Sequence, residues 1–268
     1  MLFLEKIKYL LKDVKLNEIF LKLTKYLVVK YKRRIREKKI LSKNRNKEIF
    51  KEIYKTNFWK GDESKSGPGS SLKNTENIRI EIPKLIEKYK IKTILDLPCG
   101  DFHWFKKIIN DLKINYLGGD IIDELIEINN KKYKNQYINF INIDIINDSL
   151  PSTDLLICRD CIFHFSYNDI NRLFTNLKKS NIKFILITTH DFENLKLNNK
   201  DILTGSFRFI DLFKYPFSFE KNFEEKIFDS EYPRGYANKM MCLFKMENFV
   251  KNILRYQSKS EKIFKGHQ

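Results

Sequence analysis

The chain has 268 residues, 42% of them hydrophobic, and a formal net charge of +17. That size and apolar content predict one main domain with a substantial core plus an appendage, rather than two equal domains. No apolar run approaches the roughly 18 residues of a bilayer-crossing helix, the first residues lack a cleavable secretory pattern, and four cysteines are too few for a disulfide framework. Cytoplasmic residence follows as an expectation.

The charge is concentrated at one end. Residues 1–56 hold 18 Lys and Arg against 6 Asp and Glu, which leaves a surplus of only 5 for the other 212 residues. Ile7, Leu10, Leu11, Val14, Leu16, Ile19, Leu21, Leu23 and Leu27 recur at nearly helical spacing with lysines between them, so 1–56 reads as a basic helical extension. The run from Lys30 to Lys39 adds a dense cationic patch. Such an extension is a solvated helix packed on the main domain, a peripheral helix on an anionic membrane, or a contact for nucleic acid held by charge without sequence selectivity. Residues 57–77 follow as a lid or linker, because Asn57 to Ser71 collects Gly, Pro and Ser. Asn74 to Lys90 then predicts an introductory helix, with Pro83 near its start.

The main domain, expected over 78–256, opens with an apolar run. Thr93 to Leu97 has the composition of a buried strand, and Pro98 and Gly100 mark the chain's reversal. Gly100 permits close backbone approach to a ligand, while Asp96 accepts hydrogen bonds from a ligand amine or from the turn, and Asp101 stands on the adjacent side. A dinucleotide fingerprint would place G-x-G-x-x-G here; one glycine flanked by two acids suits a ligand without phosphates better. That also disfavours a nicotinamide-dependent oxidoreductase. Tyr116 to Ile121 predicts a second strand whose Asp120, 24 residues beyond Asp96, is placed to accept both hydroxyls of a ribose. After a helix from Asp123 to Tyr133, Ile138 to Ile143 forms a third strand and delivers Asp144, which takes an adenine amino group or caps the following turn.

With three strand-end acids in one βαβαβ register, the sequence resembles the class I S-adenosylmethionine-dependent methyltransferases over roughly 78–246. Asp96-Leu97-Pro98-Cys99-Gly100 looks like their first-strand glycine motif in a one-glycine form, Asp120 like the ribose-binding acid, and Asp144 like the residue near adenine. Leu97 to Trp104 and Cys158 to Phe165 look more narrowly like a bacterial subgroup associated with glycan or small-molecule modification. The resemblance implies an α/β, Rossmann-like seven-stranded methyltransferase sheet, S-adenosylmethionine (SAM) as cofactor, and the Ser-Gly-Pro-Gly-Ser segment as a lid with Trp59 available for stacking.

Asp154 to Cys158 predicts the fourth strand, and Arg159 to Phe165 leaves it at the crevice where open α/β sheets place ligands. His164 follows Asp160 by four residues; on a helical turn the acid would orient the imidazole as a general base. Alternatively Asp160 meets the acceptor itself and His164 packs behind Phe163. Arg159 holds an acidic acceptor or a neighbouring carboxylate. Cys158 and Cys161 have a metal-like spacing, but no second pair or close histidine cluster accompanies them, so no metal is expected. His190, ending the fifth strand from Phe184 to Asp191, is a second proton-transfer or acceptor-side candidate. Beyond it, Asn198 to Leu212 reads as an irregular insertion, continuing to Pro216-Phe217 and resembling the subgroup's acceptor-side loop. Arg208 and Asp211 recognise substrate oxygens there or pair with each other, and Phe207, Phe209, Phe213 and Phe217 form a pocket wall or anchor the loop. Strands at Phe223 to Phe228 and Lys239 to Met246 complete the sheet, and 257–268 reads as a flexible tail.

The functional expectation is methyl transfer from SAM to an oxygen or nitrogen of a small-molecule or saccharide acceptor. The alternative is an RNA- or membrane-associated binding protein with a degenerate methyltransferase fold. Arg159-Asp160-Cys161-Ile162 stands where many amino-directed nucleic-acid methyltransferases carry Asn/Asp-Pro-Pro-aromatic, which favours the small acceptor over RNA.

Overall fold

The computed structural model describes residues 14–43, 45–192, 198–231 and 237–265. The chain divides into two units, Met1–Asn44 and Arg45–Gln268. In the first, α1 (Val14–Leu41) is one helix carrying Lys38 and Lys39 in its last turn. Ile7, Leu10 and Leu11 of the expected apolar stripe lie outside the described residues. Ile19, Phe20, Leu23, Leu27, Val28 and Val29 are exposed. Three of them are consecutive and successive helical residues point about 100° apart, so the apolar side chains spread around the helix instead of forming one face.

The second unit starts before the boundary that charge alone suggested at residue 56. In α2 (Asn46–Lys55), Ile49 and Ile53 stand one turn apart and are buried in this unit. On the flank, Lys47 pairs with Asp123 at 2.8 Å and Lys51 pairs with Glu124. Residues 46–55 therefore belong with the sheet. The introductory helix is α3 (Glu76–Lys88), which buries Ile78, Ile82, Leu85 and Ile86. Pro83 lies well inside it rather than near its start; the ring removes one backbone donor, and the buried apolar stripe offsets that loss.

The remaining elements follow as β1 (Thr93–Asp96), β2 (Asn115–Asp120), α4 (Asp123–Tyr133), β3 (Ile138–Asn142), β4 (Thr153–Cys158), α5 (Tyr167–Leu177), β5 (Ile182–Asp191), β6 (Glu225–Glu231), β7 (Asn238–Lys245) and α6 (Met246–Lys265). They build a seven-stranded sheet in the order β3-β2-β1-β4-β5-β7-β6. Only β7 runs against its neighbours. This is the Rossmann-like methyltransferase sheet that the sequence led us to expect. Strand residues alternate between two cores. Leu156, Ile185, Ile187 and Phe244 pack with α5 and α6 on one face, while Ile94, Leu155, Ile157 and Leu186 pack with α3 on the other. Burial on both faces explains why β1 and β4 read as continuous apolar runs.

At the other end, α6 continues past residue 256, where the flexible tail was expected to begin. The Gln257 amide donates to Asn171 at 2.8 Å and to Thr175 at 3.1 Å, and accepts from Lys178 at 2.6 Å. The chain moves outward from β1 through β2 to β3, then returns to place β4 on the other side of β1. That reversal opens a crevice at the carboxyl ends of β1 and β4.

Candidate functional site

Asp96, Gly100, Asp120, Asp144, Arg159, Asp160 and His164 line one cavity at this crevice, together with Trp59 and, from α2, Asn46, Phe50 and Tyr54. Asp96, at the tip of β1, accepts from the Tyr116 hydroxyl at 2.7 Å. Burial nevertheless raises its carboxyl to about 7. Asp120, at the tip of β2, accepts from the Ile122 amide at 3.1 Å and the Gly100 amide at 3.2 Å. Burial outweighs those two bonds and raises it to about 6. Among the described residues, neither acid has a cationic partner in hydrogen-bonding contact. Two buried carboxylates that ionise reluctantly fit a ligand bringing an ammonium and a diol, as SAM does. Gly100 sits at φ +56°, and a Cβ there would fall 2.3 Å from Ser66 Oγ. The loop before α3 therefore rests directly on the glycine turn.

Two of the expected cofactor residues take other partners. Asp101 does not line the cavity: it accepts from Ser64 Oγ at 2.9 Å, the Lys65 amide at 3.2 Å and the His103 amide at 3.3 Å, and so latches the loop to the turn after β1. Asp144 borders the cavity, but its carboxylate accepts from the Ile146 amide at 2.8 Å and from Asn147 Nδ2 at 2.6 Å. The turn-capping alternative is the one the geometry shows. Trp59 stacks on the His164 ring, 4.4 Å between centroids at 20°. The loop from Trp59 to Ser70 contributes cavity wall through Trp59, Ser66 and Ser70.

At the end of β4 lies a quartet of charges, with Arg159, Asp229 and Lys239 buried and Asp160 half-buried. Arg159 is bidentate to Asp229, both contacts at 2.9 Å, and donates to the Gly69 carbonyl at 2.9 Å. Lys239 donates to both oxygens of Asp160 at 2.9 Å and stands 3.4 Å from Asp229. Two cations thus meet two anions, and the pair that α/β burial would penalise becomes a network with its donors matched. Burial opposes ionisation of Asp160, but Arg159 and then Lys239 outweigh it and hold the carboxyl at about 2. Arg159 is therefore committed to the protein's own carboxylates, not to an acidic acceptor. A Cβ on Gly69 would come within 2.4 Å of Asp160 Oδ2, so the loop packs on the quartet through a residue without a side chain.

His164 ends a short helical turn at Ile162–His164, and Asp160 does not orient it. Asp160 takes φ +53° and turns toward Lys239, which breaks the helical relation expected between them. The His164 Nδ1 instead faces the Ser206 carbonyl at 2.7 Å. A carbonyl only accepts, so Nδ1 carries the proton and Nε2 keeps its lone pair. Burial lowers this imidazole to about 4, leaving it neutral at physiological pH. Of the two candidate bases, His164 has an available lone pair beside the cavity, whereas Asp160 is held by two cations.

Three acceptor-side candidates, His190, Asp211 and Arg208, stand outside the lining of this cavity. His190 is 1% exposed and does not line the cavity. Its Nδ1 meets the backbone of Ile210, and burial lowers it to about 3. Asp211 is also buried, raised by that burial, and accepts from the Phe213 amide at 2.9 Å. The Asn199 side chain brackets the Asp211 backbone, accepting from its amide and donating to its carbonyl at 2.8 Å each, which makes this segment a stapled loop. Arg208 forms no ion pair with Asp211 and does not line the cavity; its guanidinium lies 5.0 Å from the Tyr167 ring centroid. Phe217 is in the core and Phe207 is 47% exposed, which fits anchoring better than a pocket wall.

The sequence reading missed Asp229, Lys239 and the α2 wall. Asp229 sits at a β-bulge in β6 between Phe228 and Ser230, and the bulge re-aims its side chain inward. Nothing local announces that. The wall was legible: the four-residue spacing of Asn46, Phe50 and Tyr54 marks one side of a helix.

No protein-family model matches the sequence, and no curated protein matches it. Among solved structures, the chain is similar to the N-terminal domain of EvdMO1, crystallised with SAH and D-fucose, at 13% identity over 63% of this chain and 82% of that one, TM-score 0.44. TehB from Haemophilus influenzae aligns at 15% identity over 62% and 61% of the two chains, TM-score 0.43. A SAM-dependent methyltransferase from Clostridium acetobutylicum aligns at 14% identity over 65% and 92%, TM-score 0.46. At these values the fold assignment rests on the strand order and the site geometry.

Proposed function

We propose that this chain transfers a methyl group from SAM to an oxygen or nitrogen of a small-molecule or saccharide acceptor. The observation that carries the reading is one cavity joining two buried acids at the tips of β1 and β2 to a neutral histidine beyond β4. Asp96 would hold the ligand's amino group, Asp120 its ribose hydroxyls, and Gly100 would allow the backbone to approach. When bound, the cofactor supplies a methyl made electrophilic by a cationic sulfur. The protein's part is alignment and proton handling. His164 Nε2 accepts the acceptor's proton, the Ser206 carbonyl holds the ring in the required tautomer, and Trp59 fixes its plane. Segments Leu97 to Trp104 and Cys158 to Phe165 support placement in the bacterial subgroup acting on glycans or small molecules. Calorimetry with S-adenosylhomocysteine (SAH), followed by labelled SAM and fractionated cell extract, tests the reading; folded protein that takes up neither SAM nor SAH refutes it.

The first unit adds a second element to this proposal, contact with an anionic membrane surface from the cytoplasmic side. Exposed Phe20, Leu23 and Leu27 alternate with Lys22, Lys25 and Lys30; with no single apolar face, what supports this element is the attraction of the lysines to anionic headgroups. Cosedimentation with phosphatidylglycerol vesicles, but not with phosphatidylcholine vesicles, is the expected result. Equal behaviour with both removes this element and leaves the methyl-transfer reading intact.

A further inference from the structure

Arg208 stands out among the buried groups. It is 7% exposed, and its Nε and both terminal nitrogens are enclosed without a hydrogen-bond partner. The adjacent Tyr167 hydroxyl is enclosed and unpartnered as well. A guanidinium carries five donors and a permanent charge, so leaving all of them unmatched is costly. Stacking on the Tyr167 ring at 5.0 Å recovers only part of that cost. Elsewhere the fold treats buried cations differently: Arg159 and Lys239 are each matched by carboxylates. Asp201 is near enough for its charge to act on Arg208 but forms no hydrogen bond with it; its Oδ1 accepts from the Tyr167 amide at 2.7 Å and the Ile202 amide at 2.8 Å.

The position relates this orphan to the site. The Arg208 amide donates to the Phe163 carbonyl at 3.2 Å, and two residues earlier the Ser206 carbonyl orients His164. Phe165, which lines the cavity, is separated from Tyr167 by one residue. A group held by Arg208 and Tyr167 would thus be anchored on the same loop and the same turn that set the proposed base.

We infer that Arg208 and the Tyr167 hydroxyl form an oxyanion subsite for a carboxylate or phosphate group carried by the methyl acceptor. A planar fork of donors with an added hydroxyl matches either anion bidentately. The inference rests on the methyl-transfer reading for the word acceptor, but anion capture stands independently of it. The guanidinium nitrogens are enclosed, so the proposed subsite opens only by a local shift of the side chains around them.

Thermal unfolding of the full chain tests this, in inorganic phosphate and in acetate, against chloride at equal ionic strength. The variants are Arg208→Met, an apolar replacement, and Arg208→Lys, which keeps the charge and loses the fork. The wild type is expected to gain melting temperature in phosphate, in acetate or in both beyond the chloride control. The gain vanishes in Arg208→Met, and the apparent affinity for the anion falls at least about tenfold in Arg208→Lys. Without added oxyanion, Arg208→Met melts no lower than the wild type, since it removes a buried charge that has no partner. Which anion gives the larger gain tells a phosphorylated acceptor from a carboxylated one. No gain in the wild type, or the same gain in the variants, overturns the subsite; if Arg208→Met fails to fold, Arg208→Lys alone decides. SAH binding, measured in parallel, stays within about twofold across the three proteins because Arg208 does not line the cavity. Absence of SAH binding in the wild type would sink the cofactor reading without touching the anion result.

Discussion

Asp96 makes cofactor affinity depend on pH in a calculable way. Burial raises its carboxyl to about 7, and an ammonium is held by the ionised form. From pH 7.5 to 5.5 the ionised fraction falls from about three-quarters to about 3%, so the dissociation constant of SAH should rise about 25-fold, or ~1.9 kcal/mol. SAH is the appropriate probe because it carries the amino group and is not turned over. Isothermal titration at five pH values measures this directly. In Asp96→Asn, binding at pH 7.5 weakens and the dependence flattens. For folding, the sign is the reverse of a salt-bridged aspartate: a raised carboxyl contributes stability that is full below about pH 4 and is lost as pH rises through about 7. A dissociation constant that is flat from pH 7.5 to 5.5, or an unchanged slope in Asp96→Asn, refutes the contact between Asp96 and the amino group.

Asp120→Ala should weaken SAH binding by roughly 1.5–3 kcal/mol, the range for hydrogen bonds to a charged group; calorimetry showing unaltered affinity removes its ribose role. His164→Gln should lower turnover about 100-fold or more while SAH affinity holds. Because the histidine is lowered to about 4, wild-type kcat measured at saturating SAM should stay level through neutral pH and fall only as the ring protonates near that value; an inflection of kcat at an ordinary histidine value, with SAM saturating, speaks against this base. Asp229→Asn uncovers Arg159 and Lys239 in the interior, and urea unfolding should register a loss of about 3–5 kcal/mol. A loss below about 1 kcal/mol would mean that Lys239 and Arg159 are balanced by Asp160 alone.

Strands were legible wherever apolar residues ran together. Thr93 to Asp96, Tyr116 to Asp120 and Asp154 to Cys158 are strands because both faces of the sheet are covered, and burial on both faces leaves a continuous apolar signature. Asp96 and Asp120 then arrive at the cavity by position, since a strand end projects what it carries into the crevice. Asp101, one residue past Gly100, read as part of the same site but turned to Ser64. Its partner comes from 37 residues away in the sequence, and no local spacing encodes that choice.

The amino-acid pattern alone determined the alternation of elements, the parallel sheet and the crevice acids, because hydrophobic period and turn chemistry act over a few residues. Tertiary structure decided the pairing of every polar group at the site: Asp160 with Lys239 rather than His164, Arg159 with Asp229, His164 with a backbone carbonyl, and Arg208 with nothing but an aromatic face. Those outcomes depend on which side chains meet after the chain has crossed from β3 back to β4, and in a dry interior the nearest matched donor or acceptor prevails over sequence proximity.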